Sequence, residues 1–160
     1  MNRGVSEPAE ILDNAVTLDA RVRFASTIDI NQDTLDLVDA SLDAQREAIA
    51  AFLGIALTAR EGAGFLRYEP GGFYAPHRDA GVVSSWPAAA RRRVSIVVFL
   101  NSLGDPLDGG FMGGVLRLLD DPAEDIVPRQ GSLVAFPAER LHEVTPVTAG
   151  TRDVIVDWFY

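Results

Sequence analysis

The chain contains no cysteine and no lysine, and only two histidines among its 160 residues. Without cysteine there can be no disulfide, no thiolate metal site and no cysteine nucleophile. Without lysine there is no Schiff-base chemistry, and arginine is the only fixed side-chain cation able to hold an anion. No apolar run approaches the ~20 residues of a membrane helix, and the start, Met1 to Pro8, lacks the basic-then-apolar pattern of an export signal. Positive charge is scarce too. The formal net charge is −9, which argues against a phosphate-lined partner such as nucleic acid. These absences point to a cytoplasmic protein that neither spans a membrane nor binds nucleic acid; they leave its oligomeric state open.

What is present describes one globular domain. Hydrophobic residues make up 48% of a chain long enough to bury a sizeable core. Over 33–53, Leu35, Val38, Leu42, Ile49 and Phe52 recur at helical spacing behind Asp33 as N-cap, with Gly54 as a stop. The stripe is interrupted at Gln45, which occupies the position an apolar residue would fill. Val16 to Phe24 has the character of one or two short strands. From residue 64 onward, short extended runs alternate with Gly-, Pro- and Asp-bearing turns: 64–69, 73–79, 93–101, 113–119, 124–128, 131–136, 141–147 and 151–159. A helix followed by antiparallel strands predicts a mainly β fold, a double-stranded β-helix or jelly roll with an N-terminal supporting helix. The support occupies 1–59 and the jelly-roll core 60–160, in one compact unit. Gly109-Gly110-Phe111-Met112-Gly113-Gly114 is a turn entering a strand, not a nucleotide loop, since no βαβ unit surrounds it.

The chemistry is concentrated in a few residues. His77 and Asp79 are two apart at the end of an extended run, so in a strand they would share a face. Alone, such a triplet describes a satisfied polar pair as well as a metal ligand set. The only other histidine, His142, lies in a separate run, and Arg152 follows it by ten residues. Two imidazoles and one carboxylate, with positions left open, suit non-haem Fe(II) and oxygen. Arg152 shares parity with Val154, Val156 and Trp158, while Asp153 and Asp157 mark the other face as partly solvated. That parity turns Arg152 inward, where it needs either an internal carboxylate or an anionic ligand.

Taken together, Tyr68, Pro70-Gly71, His77-Arg78-Asp79, Phe99-Leu100-Asn101, the 113–118 and 131–136 runs, His142-Glu143-Val144 and Gly150-Thr151-Arg152 resemble the Fe(II)/2-oxoglutarate-dependent dioxygenases. Within them the chain looks like the prolyl-4-hydroxylase-like branch, over roughly 60–160. The resemblance implies that His77, Asp79 and His142 hold Fe(II). It implies that Arg152 pairs bidentately with the far carboxylate of 2-oxoglutarate. Tyr68 would hydrogen-bond that co-substrate, Leu116 and Val156 would line its pocket, and Trp158 would wall the site; core packing describes the last three equally well. Phe99 departs from the tyrosine often found there, and Ser95, of the same parity, is the candidate to supply the missing hydroxyl. The loop after the metal run, 80–90 with Arg91–Arg93, is a candidate lid from which Trp86 and Arg93 would meet substrate. The implied activity is hydroxylation of an unactivated C–H with Fe(II), 2-oxoglutarate and O2, supported by ascorbate and releasing succinate and CO2. A prolyl or related residue in a peptide or protein is the implied substrate. Alternatives are a free or carrier-bound amino acid or other small metabolite, a cupin-type metalloprotein that uses no 2-oxoglutarate, and a catalytically silent ligand-binding jelly roll.

Overall fold

The structure is a computed structural model and describes residues 6–8, 22–81 and 87–160. Its elements in chain order are β1 (Ser6–Pro8), β2 (Arg23–Phe24), β3 (Ser26–Ile28), α1 (Gln32–Asp43), α2 (Arg46–Leu53), β4 (Gly64–Tyr68), β5 (Phe73–His77), β6 (Val94–Phe99), β7 (Phe111–Gly113), β8 (Leu116–Leu118), β9 (Glu124–Ile126), β10 (Leu133–Pro137), β11 (His142–Val144), β12 (Val147–Gly150) and β13 (Arg152–Phe159). Two antiparallel sheets face each other, a major one ordered β1-β3-β4-β13-β6-β10 and a minor one ordered β2-β5-β11-β8-β9, with β12-β7 as a separate ribbon. This is the mainly β jelly roll that the turn spacing predicts. Strands from before residue 59 add to both sheets. The strand expected near 16–24 is described only at its end, as β2; the remainder lies outside the described residues.

The expected single helix over 33–53 is two helices. Asn31, not Asp33, caps α1 by accepting from the Thr34 N–H at 2.9 Å. The chain then breaks at Ala44–Gln45, the point where the apolar stripe is interrupted. The break re-phases the second helix, so Ile49 and Leu53 pack into the core while Phe52, expected in the stripe, is 84% exposed. Gly54 ends α2 with φ +67°, as the sequence predicts.

There are two apolar layers. Leu66, Tyr68, Val97, Phe99, Leu116 and Val154 belong to the layer between the sheets. Leu42, Ile49, Phe65, Ile96, Ile155 and Phe159 fill the layer between the major sheet and the helices. The second face of β13 is therefore largely buried; of its two aspartates, Asp153 is partly exposed and Asp157 is not. Asp157 lies within that layer because the Arg60 guanidinium and the N–H groups of Gly62 and Trp158 meet its carboxylate. Asp153 pairs with Arg67 nearer the surface. The inward direction predicted for Arg152 survives this correction because strand alternation, not solvation of the far face, sets it. No helix among the described residues is long and apolar enough to cross a membrane.

Candidate metal and co-substrate centre

His77 closes β5 and His142 opens β11, and antiparallel pairing sets the two residues directly opposite each other. Asp79 sits two residues beyond the end of β5, not within a strand; its N–H donates to the Ala138 carbonyl at 3.0 Å. Despite that, the three side chains converge. One ligand atom from each lies within 4.8 Å of the other two. Asp79 Oδ1 is 3.3 Å from His77 Nε2, and Oδ2 is 3.5 Å from His142 Nε2.

Both rings are oriented from behind. Nδ1 of His77 is 2.8 Å from the Ala75 carbonyl, and Nδ1 of His142 is 2.8 Å from the Arg140 carbonyl. A carbonyl can only accept, so Nδ1 carries the proton and Nε2 presents its lone pair to the centre. Tyr74 stacks on His77 with centroids 3.4 Å apart, and Phe136 meets His142 edge-on. Burial holds the His142 pKa down despite the nearby Asp79 charge, which favours the neutral, ligating imidazole. Burial alone would raise the Asp79 pKa, but His77, His142 and Ser95 more than offset it and hold the carboxyl below its usual range. Two neutral nitrogens and one carboxylate oxygen form the donor set that suits Fe(II) with open positions.

Arg152 is 1% exposed and opens β13, opposite Tyr68 of β4. Its Nε and Nη1 are buried without a hydrogen-bond partner. It makes no ion pair with any described residue, and the Tyr68 and Phe99 rings lie 4.9 and 5.4 Å from its guanidinium carbon. Burial lowers its pKa, and Tyr68 only partly offsets this. Gly114, at φ +58°, makes room for it, since a Cβ there would stand 2.9 Å from Arg152 Cδ. Of the two options the sequence leaves open, no internal carboxylate stands against Arg152 among the described residues.

Arg152 and the His-Asp-His set share one cavity of about 910 Å³, which Tyr68, Leu116, Val156 and Trp158 also line. Two expected residues stand elsewhere. Ser95 does not reach towards Arg152; its hydroxyl donates to Asp79 Oδ2 at 2.6 Å. Arg93 is exposed, and its neighbour Arg92 is the buried one. A 3-10 turn at Ala89–Arg91 leads into β6, and the extended Arg92 that follows it turns its side chain into the cavity. Trp86 lies outside the described residues, as does most of the candidate lid.

Arg92, Glu61, Tyr74 and Arg23 line the cavity and were not found from the sequence. Glu61 grips Arg92 through two oxygens, at 2.7 and 2.5 Å, and Arg92 lies over the Trp158 ring at 3.6 Å. The arginine run was a visible signal for Arg92. Nothing in the sequence around Glu61 singles it out.

Residues 63–160 match the 2OG-Fe(II) oxygenase superfamily. The chain belongs to this superfamily. Its cofactors are those the donor set and the orphaned guanidinium fit: Fe(II), 2-oxoglutarate and O2. Curated relatives include a PKHD-type hydroxylase of Acaryochloris marina, 36% identical over 95 residues, and another of Shewanella oneidensis, 33% identical over 95 residues. Each alignment covers 59% of this chain, and the chain spans 39% and 40% of those relatives' lengths. Among solved structures, a Pseudomonas putida prolyl-4-hydroxylase matches with a TM-score of 0.67 at 33% identity, covering 88% of this chain and 74% of that one. A Trichoplax adhaerens prolyl hydroxylase, solved with a hypoxia-inducible-factor peptide fragment, matches with a TM-score of 0.72 at 22% identity, covering 98% and 71%. This second likeness is one of fold. Together these relatives support the prolyl-4-hydroxylase-like branch.

Proposed function

We propose that the chain is an Fe(II)- and 2-oxoglutarate-dependent hydroxylase acting on a prolyl or related residue within a peptide or protein. The observation that carries this is the Arg152 guanidinium, buried without a carboxylate partner among the described residues, in the same cavity as His77, Asp79 and His142. An unpaired buried charge costs several kcal/mol, about 3–5 where one partner of a pair is missing, so it persists where a ligand completes it. A cupin-type site without 2-oxoglutarate would have no need of it.

In this reading His77, Asp79 and His142 hold Fe(II), and Arg152 receives the far carboxylate of 2-oxoglutarate as a bidentate fork. The metal with its co-substrate supplies oxidative decarboxylation of 2-oxoglutarate and transfer of one oxygen atom to a C–H bond. The protein supplies position and dryness. Nδ1 of each histidine keeps its proton on a backbone carbonyl, so Nε2 stays basic towards the metal. Tyr68 offers its hydroxyl to the co-substrate, and Leu116 and Val156 keep water from its carbon chain. Trp158, held flat by Arg92 and Glu61, forms the wall against which substrate lies. The prolyl substrate is taken from the named activity of the Pseudomonas putida relative. A cytoplasmic setting, ascorbate support and the absence of a nucleic-acid partner belong to the same reading.

Purified protein with Fe(II), ascorbate and 2-oxoglutarate should release succinate when offered proline-containing peptides. Release with free amino acids but no peptide would move the substrate to a small metabolite. No succinate with any substrate, together with no 2-oxoglutarate binding by metal-loaded protein, would refute the enzyme.

A further inference from the structure

We propose that Ser95 is a positioning residue that keeps Asp79 a one-oxygen metal ligand and thereby holds open a coordination position. This rests on the oxygenase reading above. The two carboxylate oxygens of Asp79 face the imidazoles almost symmetrically, Oδ1 at 3.3 Å from His77 and Oδ2 at 3.5 Å from His142. Nothing in the two histidines decides which oxygen meets a cation, or prevents both from doing so. The Ser95 hydroxyl breaks the symmetry. It donates to Oδ2 at 2.6 Å, the short distance of a charge-assisted bond, and has no second proton to offer Oδ1.

Ser95 is well placed to act as a fixed point. It is 1% exposed in β6, paired in register with Phe136 of β10 on one side and Trp158 of β13 on the other. Asp79 has no strand of its own to hold it. Its main chain hangs from Ala138, and its side chain reaches from the minor-sheet histidines to Ser95 of the major sheet. This hydrogen bond is a polar tie between the metal ligands and the opposite sheet.

The consequence follows from counting positions. Two imidazoles and one carboxylate oxygen occupy three of the positions of an octahedral ion, leaving room for a chelating 2-oxo acid and one further ligand. A carboxylate bound through both oxygens takes a fourth position, and a chelating co-substrate then fills the ion. The Ser95 hydrogen bond withdraws electron density from Oδ2 and holds it to one side, so binding through Oδ1 alone is favoured and the last position stays exchangeable.

Mn(II), with water-proton relaxation as the readout, tests this without turnover. Wild-type protein loaded with Mn(II) and 2-oxoglutarate should retain fast-exchanging inner-sphere water. Ser95→Ala should bind both but lose that water signal, and Ser95→Thr, which keeps the hydroxyl, should restore it. A Ser95→Ala complex with the same relaxation as wild type overturns the proposal while leaving the oxygenase reading intact. If Ser95→Ala does not fold, Ser95→Cys, with a similar shape and only a weak S–H donor, should show the same loss, and wild-type relaxation there overturns the proposal equally. Wild-type protein that binds neither Mn(II) nor 2-oxoglutarate overturns both.

Discussion

Arg152 and Asp157 are buried charges on the same strand, 1% and 0% exposed, facing opposite layers. Asp157 looks towards the helices and is fully met: the Arg60 guanidinium and two backbone N–H groups surround its carboxylate. Arg60 in turn reaches Asp39 and Asp43 on α1. Although its own burial works against it, those three aspartates raise the Arg60 pKa. Arg152 looks into the cavity, where burial lowers its pKa and Nε and Nη1 find no acceptor among the described residues. One charge pins a helix to a sheet; the other waits for a ligand. The difference is whether the fold itself supplies the counter-charge. A satisfied buried ion is structural, whereas an unsatisfied one beside a cavity marks a binding site.

The comparison can be broken most severely on the satisfied side. Asp157→Ala removes the buried partner of Arg60 and the acceptor of the Gly62 and Trp158 N–H groups, and should cost about 3–5 kcal/mol of stability, read by denaturant unfolding of metal-free protein. A loss close to zero would mean that Asp39 and Asp43 alone satisfy Arg60. On the other side, Arg152→Met should leave stability without 2-oxoglutarate unchanged or raised, because an unpaired charge is replaced by apolar volume. It should weaken 2-oxoglutarate binding to metal-loaded protein by on the order of 100-fold or more, since two hydrogen bonds to a charged group of roughly 1.5–3 kcal/mol each are lost. Calorimetric titration decides this, and unchanged affinity would remove Arg152 from its role.

Smaller effects sharpen the cavity's other wall. Glu61→Gln loosens the grip on Arg92 and so the support under Trp158. It should raise KM for a peptide substrate by about tenfold, ~1.4 kcal/mol, with 2-oxoglutarate affinity unchanged. Equal changes in both would place the Glu61–Arg92 pair on the co-substrate side instead. Tyr68→Phe should be mildest, weakening 2-oxoglutarate binding by about 0.5–1.5 kcal/mol, the worth of one neutral hydrogen bond. A larger loss would show Tyr68 also fixing the Arg152 side chain beside it.

The β framework was legible because turn residues punctuate it. The predicted runs at 64–69, 73–79 and 151–159 correspond to β4, β5 and β13 within a few residues. The helical region was less legible. A stripe with one gap at Gln45 reads as one helix, and only packing against the major sheet shows that the gap is a break and that Leu53 replaces Phe52. The arginine run marks a candidate for meeting substrate without saying which of its side chains turns inward; Arg92 does, and Arg93 is exposed. Ser95 shares the parity of Phe99, but parity gives a face and not a partner. Its partner is Asp79, sixteen residues away and beyond a loop.

By itself, the sequence determined the inventory and the period. Two histidines, one aspartate near the first of them and an inward arginine could be named because rare residue types and strand alternation are local properties. Tertiary structure alone decided who satisfies whom. It brought Arg60 to Asp157, Glu61 to Arg92 and Ser95 to Asp79, and among the described residues brought no acceptor to Arg152 Nε and Nη1. Whether a buried charge is met depends on groups contributed by distant strands, and such through-space contacts leave no periodic trace in the chain.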